Sequence, residues 1–274
     1  MQLFGKLKVF VVFVTLLCAS PTSSMPEMSC KKVAIGATVA ATAVGLTWFI
    51  SSLQGNSPED LMHFGQEILK NPAQMGAGFP CSKYLAKASI AQIPACSNGK
   101  NRKFLEVGAG TGVVTSKFVK KLQPGDTLDV VELQEPLCEI LSKKFSHIEG
   151  VKVHCTPIEE FNPGKKYDTI IMTVPFNALP FALVKTIWTH VISLLADGGT
   201  LSYIYDPGLQ TLKKMALSGA EKEDFQNIQT YLSDLHKQFG TGHQYTVRNL
   251  PIVCTRYFKF DQKPQEITQA PEAA

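Results

Sequence analysis

The chain has 274 residues, 45% of them hydrophobic, with 27 basic and 23 acidic side chains for a formal charge of +4. That length suits one full α/β core beside other segments, and the charge surplus is too slight to predict a nucleic-acid partner. Seven cysteines (Cys18, Cys30, Cys81, Cys96, Cys138, Cys155 and Cys254) form no CxxC pair and have no His at ligand spacing, so no metal site is expected.

Lys6 and Lys8 precede an apolar run over 9–19, which makes 1–20 a signal-like or first membrane segment. Residues 33–53 carry 21 positions without a charge. As a helix they extend about 30 Å, enough to cross a hydrocarbon core, so they are expected to be transmembrane. Segment 57–100 is expected to hold N-terminal helices facing substrate or membrane. Ser57-Pro58-Glu59-Asp60 supplies a helix start, and Leu61, Phe64, Ile68 and Leu69 form a stripe that packs either on the body or on lipid. A second helix is expected over 82–91.

From Lys103 the pattern alternates as βαβ units, giving one α/β domain over 101–262. Strands are expected at 103–107, 127–133, 151–155, 168–174 and 200–205, with helices at 113–122, 136–145 and 179–195 between them. Asp197-Gly198-Gly199 is expected to stop the last of these helices. A polar helix over 209–239 follows, then strands at 245–249 and 253–260 as an antiparallel hairpin at the sheet edge. The Pro- and Gln-rich residues 263–274 read as a disordered tail. Cys138 and Cys155 fall in apolar periodic segments and read as small buried hydrophobes, which fits a reducing compartment.

One segment carries the chemistry. Phe104-Leu105-Glu106-Val107 leads into Gly108-Ala109-Gly110-Thr111-Gly112, an apolar strand, a glycine turn and a helix start. Such a turn lets backbone approach a ligand at the carboxyl edge of a parallel sheet. Its G-x-G-x-G spacing differs from the dinucleotide pattern, since Val113 stands where a third glycine is wanted. Glu106, two residues before the first glycine, repels pyrophosphate but suits an ammonium or ordered water. Glu132 ends the second strand, where a carboxylate accepts both hydroxyls of a ribose, with Leu133 beside it.

Glu106–Gly112 with Glu132 resembles the first motif and the following acidic site of class I methyltransferases. The resemblance implies a Rossmann-like sheet with a C-terminal antiparallel hairpin, and S-adenosylmethionine as cofactor. It assigns cofactor binding to Glu106, Gly108, Gly110, Gly112, Glu132 and Leu133. Many members carry an Asp after the third strand, whereas here the segment is Cys155-Thr156-Pro157, so the Thr156 hydroxyl is given that place. The donor is cytosolic, which favours a topology in which both apolar segments enter the membrane, or the first is removed after export. The domain then faces the cytosol at the inner, cytoplasmic membrane.

The fourth strand runs into Thr173-Val174-Pro175-Phe176-Asn177-Ala178-Leu179-Pro180. This loop is similar to that of bacterial phospholipid N-methyltransferases, distant relatives of ribosomal RNA adenine dimethylases. Residues 71–82, ending Pro80-Cys81-Ser82, resemble that family's N-terminal segment, with Cys81 replacing one serine. The implied acceptor is phosphatidylethanolamine, the implied partner is the membrane, and no nucleic acid is expected. Tyr84, Pro175 and Asn177 are the candidates for the acceptor pocket. No general base is named, because a neutral amine needs positioning more than proton abstraction. Methylation of protein, RNA or a small molecule remains an alternative, as does a non-enzymatic cofactor-binding membrane assembly protein.

Overall fold

The computed structural model describes residues 81–93, 99–176, 179–207, 217–249 and 252–261. The expected segments 1–20, 33–53 and 263–274, the stripe over 61–69, and Asn177 lie outside these residues. Among the described residues no helix is long and apolar enough to cross a membrane.

Seven strands make one sheet in the order β3-β2-β1-β4-β5-β7-β6. In chain order the elements are α1 (Lys83–Ser89), β1 (Lys103–Val107), α2 (Thr115–Phe118), β2 (Thr127–Glu132), α3 (Glu135–Phe145), β3 (Val151–Cys155), β4 (Tyr167–Met172), α4 (Phe181–Leu194), β5 (Leu195–Tyr205), α5 (Gly219–Phe239), β6 (Gly240–Thr246) and β7 (Val253–Phe260). Strands β1 to β5 pair in parallel. Strand β7 runs antiparallel to both β5 and β6. The expected Rossmann-like sheet with a terminal hairpin is therefore present. The switch in strand direction of travel at β1 opens the carboxyl edge, where such sheets hold ligands.

Alternation along β1 sorts its side chains onto two cores. Leu105 and Val107 join the apolar face covered by Val184, Ile187 and Trp188 of α4 and by Ile228 and Leu232 of α5. Phe104 faces the other way, among Ala86 of α1, Phe118 of α2, and Leu141 and Phe145 of α3. Period-2 strands buried on both faces by 3.6-period helices give this three-layer result. Helix α1 is capped by Ser82, whose Oγ accepts from Leu85 N at 3.1 Å. Its last turn is pinned to the sheet, since the Tyr257 hydroxyl donates to Ala88 O at 2.9 Å and Ser202 Oγ to Ser89 O at 2.7 Å.

Three expectations need correction. Helix α4 stops at Leu194, and β5 already begins at Leu195. Gly198 and Gly199 thus lie inside the strand, where its pairing with β4 shifts register between Tyr167 and Thr169, and they do not end the helix. Strand β6 covers Gly240–Thr246, so Val247, Arg248 and Asn249 lie past its end, in the connection to β7 and not in the strand. The third concerns sulfur. Cys138 and Cys155 are not separate buried thiols but are joined in a disulfide, with Cα atoms 5.7 Å apart. Parallel pairing of Glu132 with Cys155 brings the end of β3 under the head of α3, a proximity invisible in either segment alone.

Candidate functional site

The glycine turn is held from three sides. Gly108 N donates to Val131 O at 2.8 Å, and Gly110 N donates to the Glu132 carboxylate at 2.8 Å. The Thr173 hydroxyl, just past β4, donates to the carbonyls of Val107 and Gly108. Neighbouring strand ends thus fix the turn between them. Gly110 has φ +58°, and a Cβ placed there meets nothing within 4 Å, so this peptide borders open space. Gly112 differs: its φ is +86°, and a Cβ there falls 2.5 Å from Phe145 Cε2. One glycine leaves room for a ligand and the other for α3.

Glu132 ends β2 with 5% exposure. One oxygen accepts from Gly110 N, and the other accepts from Leu133 N and Gln134 N, both at 3.0 Å. Three amides therefore lock the carboxylate in place. Leu133 is 57% exposed beside it and offers apolar surface at the head of α3. Thr156 N donates to Glu132 O at 3.1 Å, which sets Thr156 at the same edge, and Cys138 Sγ lies 3.4 Å from that carbonyl. The Cys138–Cys155 bond consequently crosses the wall of this subsite.

Glu106 is fully buried, and neither carboxylate oxygen finds a partner of good geometry among the described residues. Burial pushes its pKa up to about 8, Thr115 eases the rise, and the nearby Glu132 adds to it. An acid so placed stays protonated near neutrality until a cation satisfies it. The residues present thus fit an amino-acid nucleoside: unmet carboxylate oxygens for its ammonium, an open glycine peptide for close approach, and a locked carboxylate for its ribose.

The acceptor candidates are less gathered. Tyr84 is half-buried, and its partners are cations on the rim. Arg248 Nη1 donates to its hydroxyl at 3.4 Å, the Arg248 guanidinium lies 5.2 Å from the ring centre, and Lys83 Nζ lies 5.3 Å from it. Pro175 is half-buried after β4, beside the fully buried Phe176, which packs against Trp188 and Tyr203. Asn177 lies outside the described residues. Sequence reasoning missed Thr173 and Asn249. The signal for Thr173 was a lone hydroxyl directly after an apolar strand. Asn249 gave none, since its Oδ1 accepts from Ser82 N, 167 residues away, at 3.0 Å.

Residues 105–201 match the family model of a methyltransferase domain. Ornithine lipid N-methyltransferase of Singulisphaera acidiphila is 24% identical over 152 residues, covering 53% of this chain and 78% of that one. Malonyl-acyl-carrier-protein O-methyltransferase 1 of Ilyobacter polytropus is 28% identical over 104 residues, 38% of each chain. Ribosomal RNA small subunit methyltransferase A of Mycoplasma mycoides is 29% identical over 101 residues, 35% of this chain and 37% of that one. The chain thus spans less than two-fifths of the length of two of these relatives. The matched span takes in the glycine turn, Glu132 and Thr173, so the residues gathered at this edge are the ones that the methyltransferase-domain model covers.

Proposed function

We propose that the chain transfers methyl groups from S-adenosylmethionine to the amine of a lipid head group, with phosphatidylethanolamine as the acceptor. The observation that carries the transferase reading is the Glu132 carboxylate locked by three backbone amides at the open Gly110 peptide. Bound there, the donor supplies an electrophilic methyl on a sulfonium. Glu132 accepts its ribose hydroxyls, Glu106 faces its ammonium, and Leu133 and Thr156 border its base. Tyr84 and Pro175 flank the incoming amine, with Asn177 a candidate from the sequence alone, and the amine's lone pair must lie in line with the methyl.

Two features support a lipid acceptor. The relative that this chain covers most fully among those named above carries a lipid N-methyltransferase name. The uncharged stretch 33–53 also suits a tether that keeps the site at a bilayer and raises its effective concentration there. In this reading the domain faces the cytosol at the inner, cytoplasmic membrane. The Cys138–Cys155 bond sets a condition on that placement, since cytosolic thiols are generally kept reduced. A reporter fused after Ala274 is expected to be active inside the cell, and activity confined to the outside overturns the topology.

A second reading has its own support, because the malonyl-acyl-carrier-protein relative points to a carboxylate on a carrier-bound chain. One experiment separates them. The chain is expressed in a host lacking methylated phosphatidylethanolamine and fed labelled methionine. Label in mono- to trimethylated phosphatidylethanolamine is the expected result. An unchanged lipid extract with label on acyl carrier protein favours the second reading and removes the first.

A further inference from the structure

We propose that Val247, Arg248 and Ile252, between β6 and β7, form with the exposed face of α1 a docking surface for an anionic bilayer, beside the cofactor edge. Pairing places this surface. Tyr205 ends β5 opposite Cys254, so the start of β7 and the connection before it lie at the carboxyl edge of the parallel strands. That is the edge of Gly108 and Glu132. Val247 in the connection is 72% exposed, and Ile252 at its far end is 47% exposed. Apolar side chains at these levels, flanking a turn, gain by entering a lipid interface.

Cations surround them. Arg248 is exposed between the two aliphatic residues, and Lys83 and Lys87 lie on the exposed side of α1, one helical turn apart. Neither Lys83–Ser89 nor residues 246–253 contain an acid. The two pieces form one surface, because Asn249 holds Ser82 and Arg248 reaches across to Tyr84, whose ring both Arg248 and Lys83 approach. Cations around aliphatic side chains complement anionic head groups above hydrocarbon. An acidic protein would meet the cations as well, but the chain itself argues for lipid. The uncharged stretch 33–53, expected from its sequence to enter a membrane, ends about thirty residues before α1, so at most about 100 Å of chain would separate this edge from that bilayer. The use of the surface in catalysis rests on the lipid-acceptor reading, but the docking does not.

The test places a photo-crosslinking residue at 247 or 252 in the full chain, reconstituted in vesicles of phosphatidylcholine with or without phosphatidylglycerol. Position 261 serves as control, since Asp261 follows the end of β7 at the opposite edge. Lipid adducts are expected at 247 and 252, several-fold more with phosphatidylglycerol, and absent at 261. Arg248→Gln and, separately, Lys83→Gln are each expected to lower the yield about fivefold, the worth of one basic residue at such a surface. Unchanged melting temperatures identify variants that remain folded. Equal labelling at 261, or no adduct at 247 and 252, overturns the proposal, as does loss of the lipid adducts to adducts with added acyl carrier protein. None of these readouts depends on which molecule accepts the methyl group, so the docking can fail while the lipid-acceptor reading stands.

Discussion

Gly110 and Gly112 stand two positions apart and are asked for different things. At Gly112 an added methyl overlaps Phe145, so Gly112→Ala is expected to cost about 2 kcal/mol and lower the melting temperature by several degrees. At Gly110 the space is open and only the positive φ is strained, so Gly110→Ala keeps most of the stability but weakens S-adenosylhomocysteine binding where its methyl meets the ligand. Glu106 gives a pH signature. Its carboxyl holds a proton up to about pH 8 when folded, against an ordinary value of 4.5, so the folded chain binds more protons in between. Its contribution to stability therefore falls as pH rises through that window. A bound ammonium favours the charged form, so affinity should rise up to about tenfold per unit below about pH 8 and level off above it. Calorimetry across that range checks the slope, and Glu106→Gln should flatten it. The turn and both acids were readable because glycine spacing and strand-end carboxylates are local signals. Thr173 offered only a hydroxyl after an apolar strand, and its role shows once its partners Val107 and Gly108 on β1 and the turn are known.

At the scale of elements, the Cys138–Cys155 bond joins α3 to β3 across the wall that holds Glu132. Removing it with Cys138→Ser and Cys155→Ser is expected to cost about 3 kcal/mol, given the short loop it closes. It should also weaken cofactor binding by freeing the head of α3. A thermal melt with and without a dithiol measures the first effect, and free thiols counted in the purified chain show whether the bond is formed. Periodicity gave most strands to within a residue or two, because burial on both faces leaves plain apolar runs. It misjudged the α4–β5 junction, where a register shift in pairing with β4 absorbs the glycines, and the start of β6. It also missed the disulfide. Each depends on which segments become neighbours, and no single segment states that.

For the molecule as a whole, strand order sets function. Crossovers to either side of β1 gather the glycine turn, Glu132 and Thr173 at one edge, and the reversed β7 returns the hairpin connection to that same edge. The glycine turn with Glu132, the loop after β4 and the basic, aliphatic residues before β7 thus share one edge of the sheet. The measurement nearest the central claim is calorimetric titration of the purified full chain with S-adenosylhomocysteine. The wild type is expected to bind one equivalent, and Glu132→Ala to bind at least about tenfold more weakly, from the loss of charge-assisted hydrogen bonds to the ribose. A wild-type chain that melts cooperatively yet gives no heat with this nucleoside would contradict the account.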